Sequence, residues 1–270
     1  MKRSGRNKKY IYNESLPRPS LRNCVEKIWT FETNNRSLGK QNFHLQPDYS
    51  SSLIFMNLQD QTRRLVYVSG PNTENIPLLN SPEFSIIGFR FYPLMLNAML
   101  GILPQNTKNT MAELSQFITP ELHKKLTEIV EDISDTELLV RRISDYLTQN
   151  FVCKNIAECS VSVLINKIIN SGGNVKLDAE YSDFTVGKRQ FQRNFVKLTG
   201  ITPKEFCRVV RFQTAARKLV RNNFSHFDTL CETGFYDQSH YYKEFKLFLG
   251  MLPSGFENIQ SNIFHKNLVK

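Results

Sequence analysis

Apolar positions along the first third of the chain come in short runs separated by turn residues. In "CVEKIWTFET", Val25, Lys27 and Trp29 alternate with their neighbours, and the run is rich in β-favouring aromatics. "SSLIFMNL" and "RLVYVSG" follow, set apart by Gln46-Pro47-Asp48 and Gly70-Pro71-Asn72. A fourth run, "FSIIGFRFYP", alternates Ile87, Phe89 and Phe91 with Gly88 and Arg90. Short strands at this spacing predict an antiparallel sandwich or small barrel between Pro17 and Pro93. From Leu94 the period lengthens. "LMLNAMLGI" stops before Pro104, and a polar turn leads to "MAELSQFI". Thr119-Pro120 opens a helix with proline at its first position, and Leu122, Leu126 and Ile129 recur at helical spacing. Leu138, Leu139, Ile143 and Leu147 repeat the pattern; both stripes are most simply core, with a partner-binding or dimerising helix as the alternative. The run Asn170-Ser171-Gly172-Gly173-Asn174 is the best linker candidate.

Beyond that run the pattern repeats itself at an offset of fifty residues. Phe191 falls on Tyr241, Phe195 on Phe245, Leu198 on Phe248, Gly200 on Gly250, Pro203 on Pro253 and Phe206 on Phe256. Two copies indicate a duplicated small module rather than a solenoid. At about 100° per residue, Phe191, Phe195 and Leu198 share one face, with Arg189, Gln192, Arg193 and Val196 opposite. In the second copy Tyr241, Phe245 and Phe248 face inward, and Gln238, Ser239, Tyr242, Lys243 and Lys246 outward. Gly187 and Asp237 hold equivalent N-cap positions before the two helices. Between the modules, Thr202-Pro203-Lys204-Glu205 forms a capping box for a long helix reaching about Asn222. Some 18 residues at 1.5 Å each span about 27 Å. With the module widths added, that suits two elements spaced near one duplex turn of about 34 Å.

Charge sharpens this picture. The chain has a formal charge of +10, unevenly spread. Residues 1–10 carry five Lys or Arg and no acid; residues 11–170 carry 15 basic and 16 acidic; residues 171–270 carry 15 and 9. A near-neutral middle joined to a basic end fits a regulatory or scaffold domain on a polyanion binder. Five cysteines without a CxxC pair fit a reducing compartment, each expected to be a small buried residue or inert. No window has the length of a membrane span or a signal peptide, so the expected location is the cytoplasm. Chemistry is sparse. His44 stands alone in the β-rich region, where a cupin metal site needs several imidazoles. There is no GxSxG, P-loop or HExxH. The sequence therefore supports neither catalytic residues, nor a metal, nor a cofactor.

"RQFQRNFVKLTGITPKEFCRVVRFQTAARKL" followed by "LCETGFYDQSHYYKEFKLFLGMLPSGF" resembles the DNA-binding domain of AraC/XylS-type transcriptional regulators over about 100 residues. "LPRPSLRNCVEKIWTFE", "LQPDYSSSLIFMNL", "VSGPNT" and "IIGFRFYPLMLNAMLGI" resemble, more weakly, the sensor domain of one subgroup. The resemblance implies Lys188, Arg189, Gln192 and Arg193 as DNA contacts of a first recognition helix. It implies Gln238, Ser239, His240, Tyr242 and Lys243 for a second, and the outward face adds Lys246. His240 lies at the side of the wheel. Arg211 matches an arginine of the linking helix, where bracing is expected. Some positions depart from the family. Glu180-Tyr181 stand where unit two has Leu230-Cys231, and Phe184 stands where it has Gly234. These departures imply a less well packed first unit. "FYPLML" lacks the glycine usual after that proline, which implies a reshaped or lost ligand pocket.

The expected fold is α+β. An N-terminal antiparallel β barrel or sandwich (cupin-like) with a helical connector precedes an all-α domain of two helix-turn-helix units joined by a long helix. The expected divisions are a basic arm at 1–10, a sensor-like domain at 11–118, a connector at 119–170 and the DNA-binding domain at 171–270. The expected function is a sequence-specific regulator reading successive major-groove segments of double-stranded DNA. Unit two is expected to specify, and unit one to supply much of the grip. RNA polymerase is a further implied partner, a small-molecule effector at the N-terminal domain is compatible with the pattern, and so is a homodimer. The alternatives are a small-molecule-binding enzyme, or an interaction module whose DNA-binding tail is basic or partly decayed.

Overall fold

The computed structural model describes residues 10–33, 44–58, 64–77, 84–131, 133, 135–151, 159–184, 186–223 and 225–256. Among the described residues its N-terminal part has eight strands: β1 (Tyr10–Ser15), β2 (Val25–Thr33), β3 (His44–Leu45), β4 (Ser52–Leu58), β5 (Leu65–Ser69), β6 (Ile76–Pro77), β7 (Phe84–Phe91) and β8 (Met111–Glu113). Six pair antiparallel in the order β1-β2-β7-β4-β5-β8, and β3 pairs with β6 in a separate ribbon. All four runs read as strands are strands. Strand β1 has no counterpart among them, and it takes Tyr10 from the expected basic arm, the rest of which lies outside the described residues. Strand β8 falls in a stretch read as helical. Its three residues are held by pairing with Tyr67, Val68 and Ser69, a tertiary contact that local periodicity cannot signal.

Both faces of the sheet are covered, which is why its central strands read as nearly continuous apolar runs. One face packs Leu53, Phe55, Ile87 and Phe89 against α1 (Met95–Leu100), α2 (Pro120–Glu128) and α3 (Thr136–Asn150). The other gathers Tyr12, Trp29, Phe31, Ile54, Met56 and Ile86, with Leu45 of the ribbon against them. The expected alternation of Val25, Lys27 and Trp29 on one face does not hold. The β2–β7 register shifts between Val25 and Lys27, so Val25 packs on the helix side and Trp29 on the other. Gly88 lies opposite Trp29, whose ring occupies the place a Cβ would take, at 2.0 Å. Cys24, buried before β2, is disulfide-bonded, which corrects the expectation that every cysteine is a buried or inert thiol. Local cysteine spacing carries no sign of it. Cys159, Cys207 and Cys231 are free.

The C-terminal part comprises α4 (Ser160–Asn170), α5 (Leu177–Tyr181), α6 (Lys188–Thr199), α7 (Pro203–Arg221), α8 (His226–Glu232), α9 (Gln238–Leu249) and α10 (Pro253–Phe256). Helix α4 falls within the expected connector, yet Val161, Leu164, Ile165 and Ile168 lie in the same core as α7. The residues after it form a tight turn: Gly172 and Gly173 have φ of +63° and +85°, and Gly173 packs on the backbone of α7. That C-terminal core also takes in Tyr49 and Leu94 from the β-rich part, so the two parts share apolar packing. Leu94 sits where the family uses glycine, and its backbone shows why, with φ of +75°. A leucine there costs on the order of 1–3 kcal/mol. Its side chain, 7% exposed within the shared core, offsets that strain by burial.

A candidate DNA interface and an interdomain cavity

Helix α7 is the core of both units. Phe206 near its start meets Phe195 of α6 edge-on at 5.7 Å, and Phe212 meets Phe245 of α9 at 5.3 Å. The capping box is formed as expected. The Thr202 hydroxyl accepts from the Glu205 amide (3.2 Å), and the Glu205 carboxylate accepts from the Thr202 amide (2.7 Å). Arg211 donates to Asn174 Oδ1 (3.0 Å) and to the Gly173 carbonyl (2.8 Å), so it braces α7 against the turn after α4. Arg208 holds the buried Glu244 carboxylate of α9 through three bonds of 2.8–3.1 Å.

Around this axis, α6 and α9 present their N-terminal halves outward. In unit two, Asp237 caps α9 by accepting from the His240 amide (2.7 Å), and Gly234 supplies a left-handed turn residue with φ of +66°. Gln238, Ser239, Lys243 and Lys246 are exposed. Tyr242 is half-buried, and its hydroxyl accepts from Gln238 Nε2 (2.9 Å). His240 is also half-buried. Its ring lies edge-on to Phe235, and its Nε2 is 3.9 Å from the Glu244 carboxylate, so its contacts are local. Tyr236, on the turn before α9, is 92% exposed, and no motif in the sequence marks it.

Unit one reaches the same arrangement by other means. Gly187 caps α6 without a side-chain bond, and Phe184 stacks on Phe191 at 4.4 Å and 6°. Tyr181 is buried against the same ring, and its hydroxyl accepts from Gln192 Nε2 (3.3 Å). Glu180 pairs with Lys167 of α4. The residues that depart from the family thus form an aromatic cluster, which corrects the expectation of a less well packed unit. Arg189 and Arg193 are exposed. Lys188 is exposed too, with its ammonium 2.5 Å from Asp178. Arg193 donates to Gln190 Oε1 (2.8 Å), whose amide donates to Asn194 Oδ1 (3.0 Å), a ladder along the surface of α6.

Residues 182–258 match a family model described as a helix-turn-helix domain, spanning α6, α7 and α9. The C-terminal part therefore carries a helix-turn-helix domain, in keeping with its resemblance to the DNA-binding domain of AraC/XylS-type regulators. Residues 13–113 match a second model, described as a domain of unknown function (DUF6597). No curated protein matches the chain. Among solved structures, ToxT from Vibrio cholerae O395 is similar at 9% identity and a TM-score of 0.46, over 95% of this chain and all of that one. Unsaturated fatty acid bound wild-type ToxT from Vibrio cholerae strain SCE256 is similar at 11% identity and a TM-score of 0.43, over 94% of this chain and 96% of that one. These are loose similarities of overall course.

The chain has a cavity of about 460 Å³ bounded by the Trp29–Ile54 face of the sheet, the stretch after β3 and α7. Trp29, Phe31, Ile54 and Ile86 give it an apolar wall, and Gln213 and Arg217 of α7 contribute to its lining. Arg90 lies at its floor. Asp48 accepts from Arg90 Nε and Nη2 (2.7 and 2.6 Å), Glu26 pairs with the third guanidinium nitrogen, and the Tyr49 ring lies 5.1 Å from the guanidinium carbon. Burial raises the Asp48 carboxyl and lowers the Arg90 guanidinium from their ordinary values, each disfavouring its charged form. Gln213 Nε2 donates to the Pro47 carbonyl (3.0 Å) and to Asp48 (3.4 Å), so one carboxylate ties the sheet to the linking helix. Lys27 pairs with Glu14 at 2.7 Å. Ser50 Oγ and Asn72 Oδ1 are buried in the lining without a hydrogen-bond partner among the described residues. The resemblance implied a reshaped or lost pocket; the structure holds a sizeable one. Sequence reasoning missed its polar floor because Glu26, Asp48, Arg90 and Gln213 meet only through tertiary contacts.

Proposed function

We propose that this regulator binds DNA sequence-specifically, with α6 and α9 reading successive major-groove segments. The observation carrying this reading is the pair of outward recognition helices on one rigid axis, each with exposed hydrogen-bond donors. Arg189, Arg193, Lys243 and Lys246 supply charge for phosphate or guanine, and Gln192 and Gln238 supply amides suited to adenine. Lys188, Ser239 and Tyr242 complete the contact set, and His240 stays at its edge because its ring is engaged locally. The DNA-binding unit begins at α4, since its apolar face belongs to the α7 core. The cavity takes a small-molecule effector that biases the position of α7, and the Asp48–Gln213 contact supports this link. RNA polymerase and a second copy of the chain are the further partners of this reading. A cytoplasmic location is part of it; among the described residues no helix is long and apolar enough to cross a membrane.

The test is a mobility-shift titration on a duplex selected by the full-length protein from a random pool. Arg193→Ala and Lys243→Ala are each expected to weaken binding about tenfold, or about 1.4 kcal/mol. Unchanged affinity for both would refute the assigned faces. A footprint covering one major-groove segment would instead favour an interaction module with one decayed unit, and the aromatic packing of unit one argues against that.

A further inference from the structure

The first recognition helix does not stand clear of the β-rich part. The short 3-10 turn Pro104–Asn106 packs against α6, and Gly200 at the end of α6 has φ of +80°. A Cβ at Gly200 would lie 2.7 Å from both the Pro104 carbonyl oxygen and Pro71 Cγ. Glycine therefore serves twice here, ending the helix and admitting the neighbouring backbone. Next to this contact, Gln105 from the turn joins Gln192, Arg193, Asn194 and Lys197 of α6 around an open groove. Among the described residues no carboxylate lines the groove, and two cations and several amides do.

The turn itself is stiffly built. Pro104 opens it, Thr107 donates its amide and hydroxyl to the Pro104 carbonyl (3.1 Å each), and Thr110 Oγ1 donates to the Thr107 carbonyl (3.0 Å). Asn109 adopts φ of +53° and accepts from the Thr73 amide (2.7 Å). On the far side, Lys108 pairs at 2.7 Å with Glu205, the capping residue of α7. Gln105 is thus an exposed amide on a rigid mount, held in fixed relation to the recognition helix. A donor amide on a stiff backbone turn beside two cations, with no acid lining the groove among the described residues, has the chemistry of a phosphate contact.

We propose that the groove shared by Gln105 and α6 holds a backbone phosphate of double-stranded DNA flanking the segment read by α6. The β-rich part then contributes directly to the DNA interface, and Lys197 is a second contact to that phosphate. The inference rests on α6 being a recognition helix.

Its test uses the full-length protein, a duplex it selects from a random pool, and the same duplex carrying a neutral methylphosphonate at each flanking phosphate in turn. Gln105→Glu places a carboxylate in the groove and is expected to weaken binding about fivefold through like-charge repulsion. One methylphosphonate position is expected to abolish the difference between Gln105→Glu and the parent protein, an effect that a merely structural role would not produce. Lys197→Gln is expected to lower the slope of log affinity against log salt by about one. Unchanged binding by Gln105→Glu would overturn the proposal, and so would tighter binding by Gln105→Ala, since the turn would then be covering the helix. Arg193→Ala in the same assay separates the two levels. If it leaves affinity unchanged, the reading of α6 itself fails; if it weakens binding while Gln105→Glu does not, only the phosphate groove fails.

Discussion

The two helix-turn-helix units share a plan and differ in how they are secured. Unit two closes its turn with left-handed Gly234 and caps α9 with Asp237. Unit one has neither device. It stacks Phe184, Phe191 and Tyr181, and it leans on the β-rich part through Gly200 and the Pro104 turn. Both units bury aromatic rings against α7; unit two adds a local turn and cap, and unit one adds a stacked ring and a neighbour. The difference teaches that a missing family residue need not mean a weakened unit. Burial of large rings can replace caps and turns, because each fully buried ring contributes more than a cap.

The largest expected effect tests whether both cores are equally well made. Phe191 and Phe245 are 1% and 0% exposed, and each substitution to alanine should cost about 3–5 kcal/mol in denaturant unfolding. A cost under about 1 kcal/mol for Phe191→Ala alone would return unit one to the poorly packed state that the sequence suggested.

Next comes the pair of glycines that end α6 and α9. Gly250 has φ of +72° and nothing within 4 Å of the place a Cβ would take, so Gly250→Ala should cost about 1 kcal/mol from backbone alone. Gly200 has nearly the same backbone but meets Pro104 and Pro71, so Gly200→Ala should cost about 2–3 kcal/mol. Equal losses in melting temperature would show that the β-rich part does not press on unit one.

The smallest effects concern the caps. Asp237→Ala should cost about 1 kcal/mol, and Gly187→Ser should gain a few tenths. Thermal unfolding of the two variants checks both signs. A gain at Gly187 as large as the loss at Asp237 would mean that unit one is also limited by its cap.

Much of this molecule was legible along the chain. Short apolar runs set apart by turn residues marked the central strands, and the 3.6-residue stripe with its fifty-residue echo marked α6 and α9. Thr202, Glu205 and Asp237 marked the caps they form. All of these signals arise within a few residues of one another, so the sequence alone determined them. Tertiary structure decided the rest, because the deciding contacts lie far apart in the chain. The register shift moved Val25 to the helix side of the sheet, and three residues became β8 only because β5 had an open edge. Leu94 keeps a left-handed backbone because the C-terminal core takes its side chain. Asp48 meets Arg90 across 42 residues and Gln213 across 165, and no periodicity reports such a meeting. The sequence thus determined that two helices present polar, donor-rich faces outward. Only packing between the two parts decided what stands beside them, because that depends on shapes brought together after each part is formed.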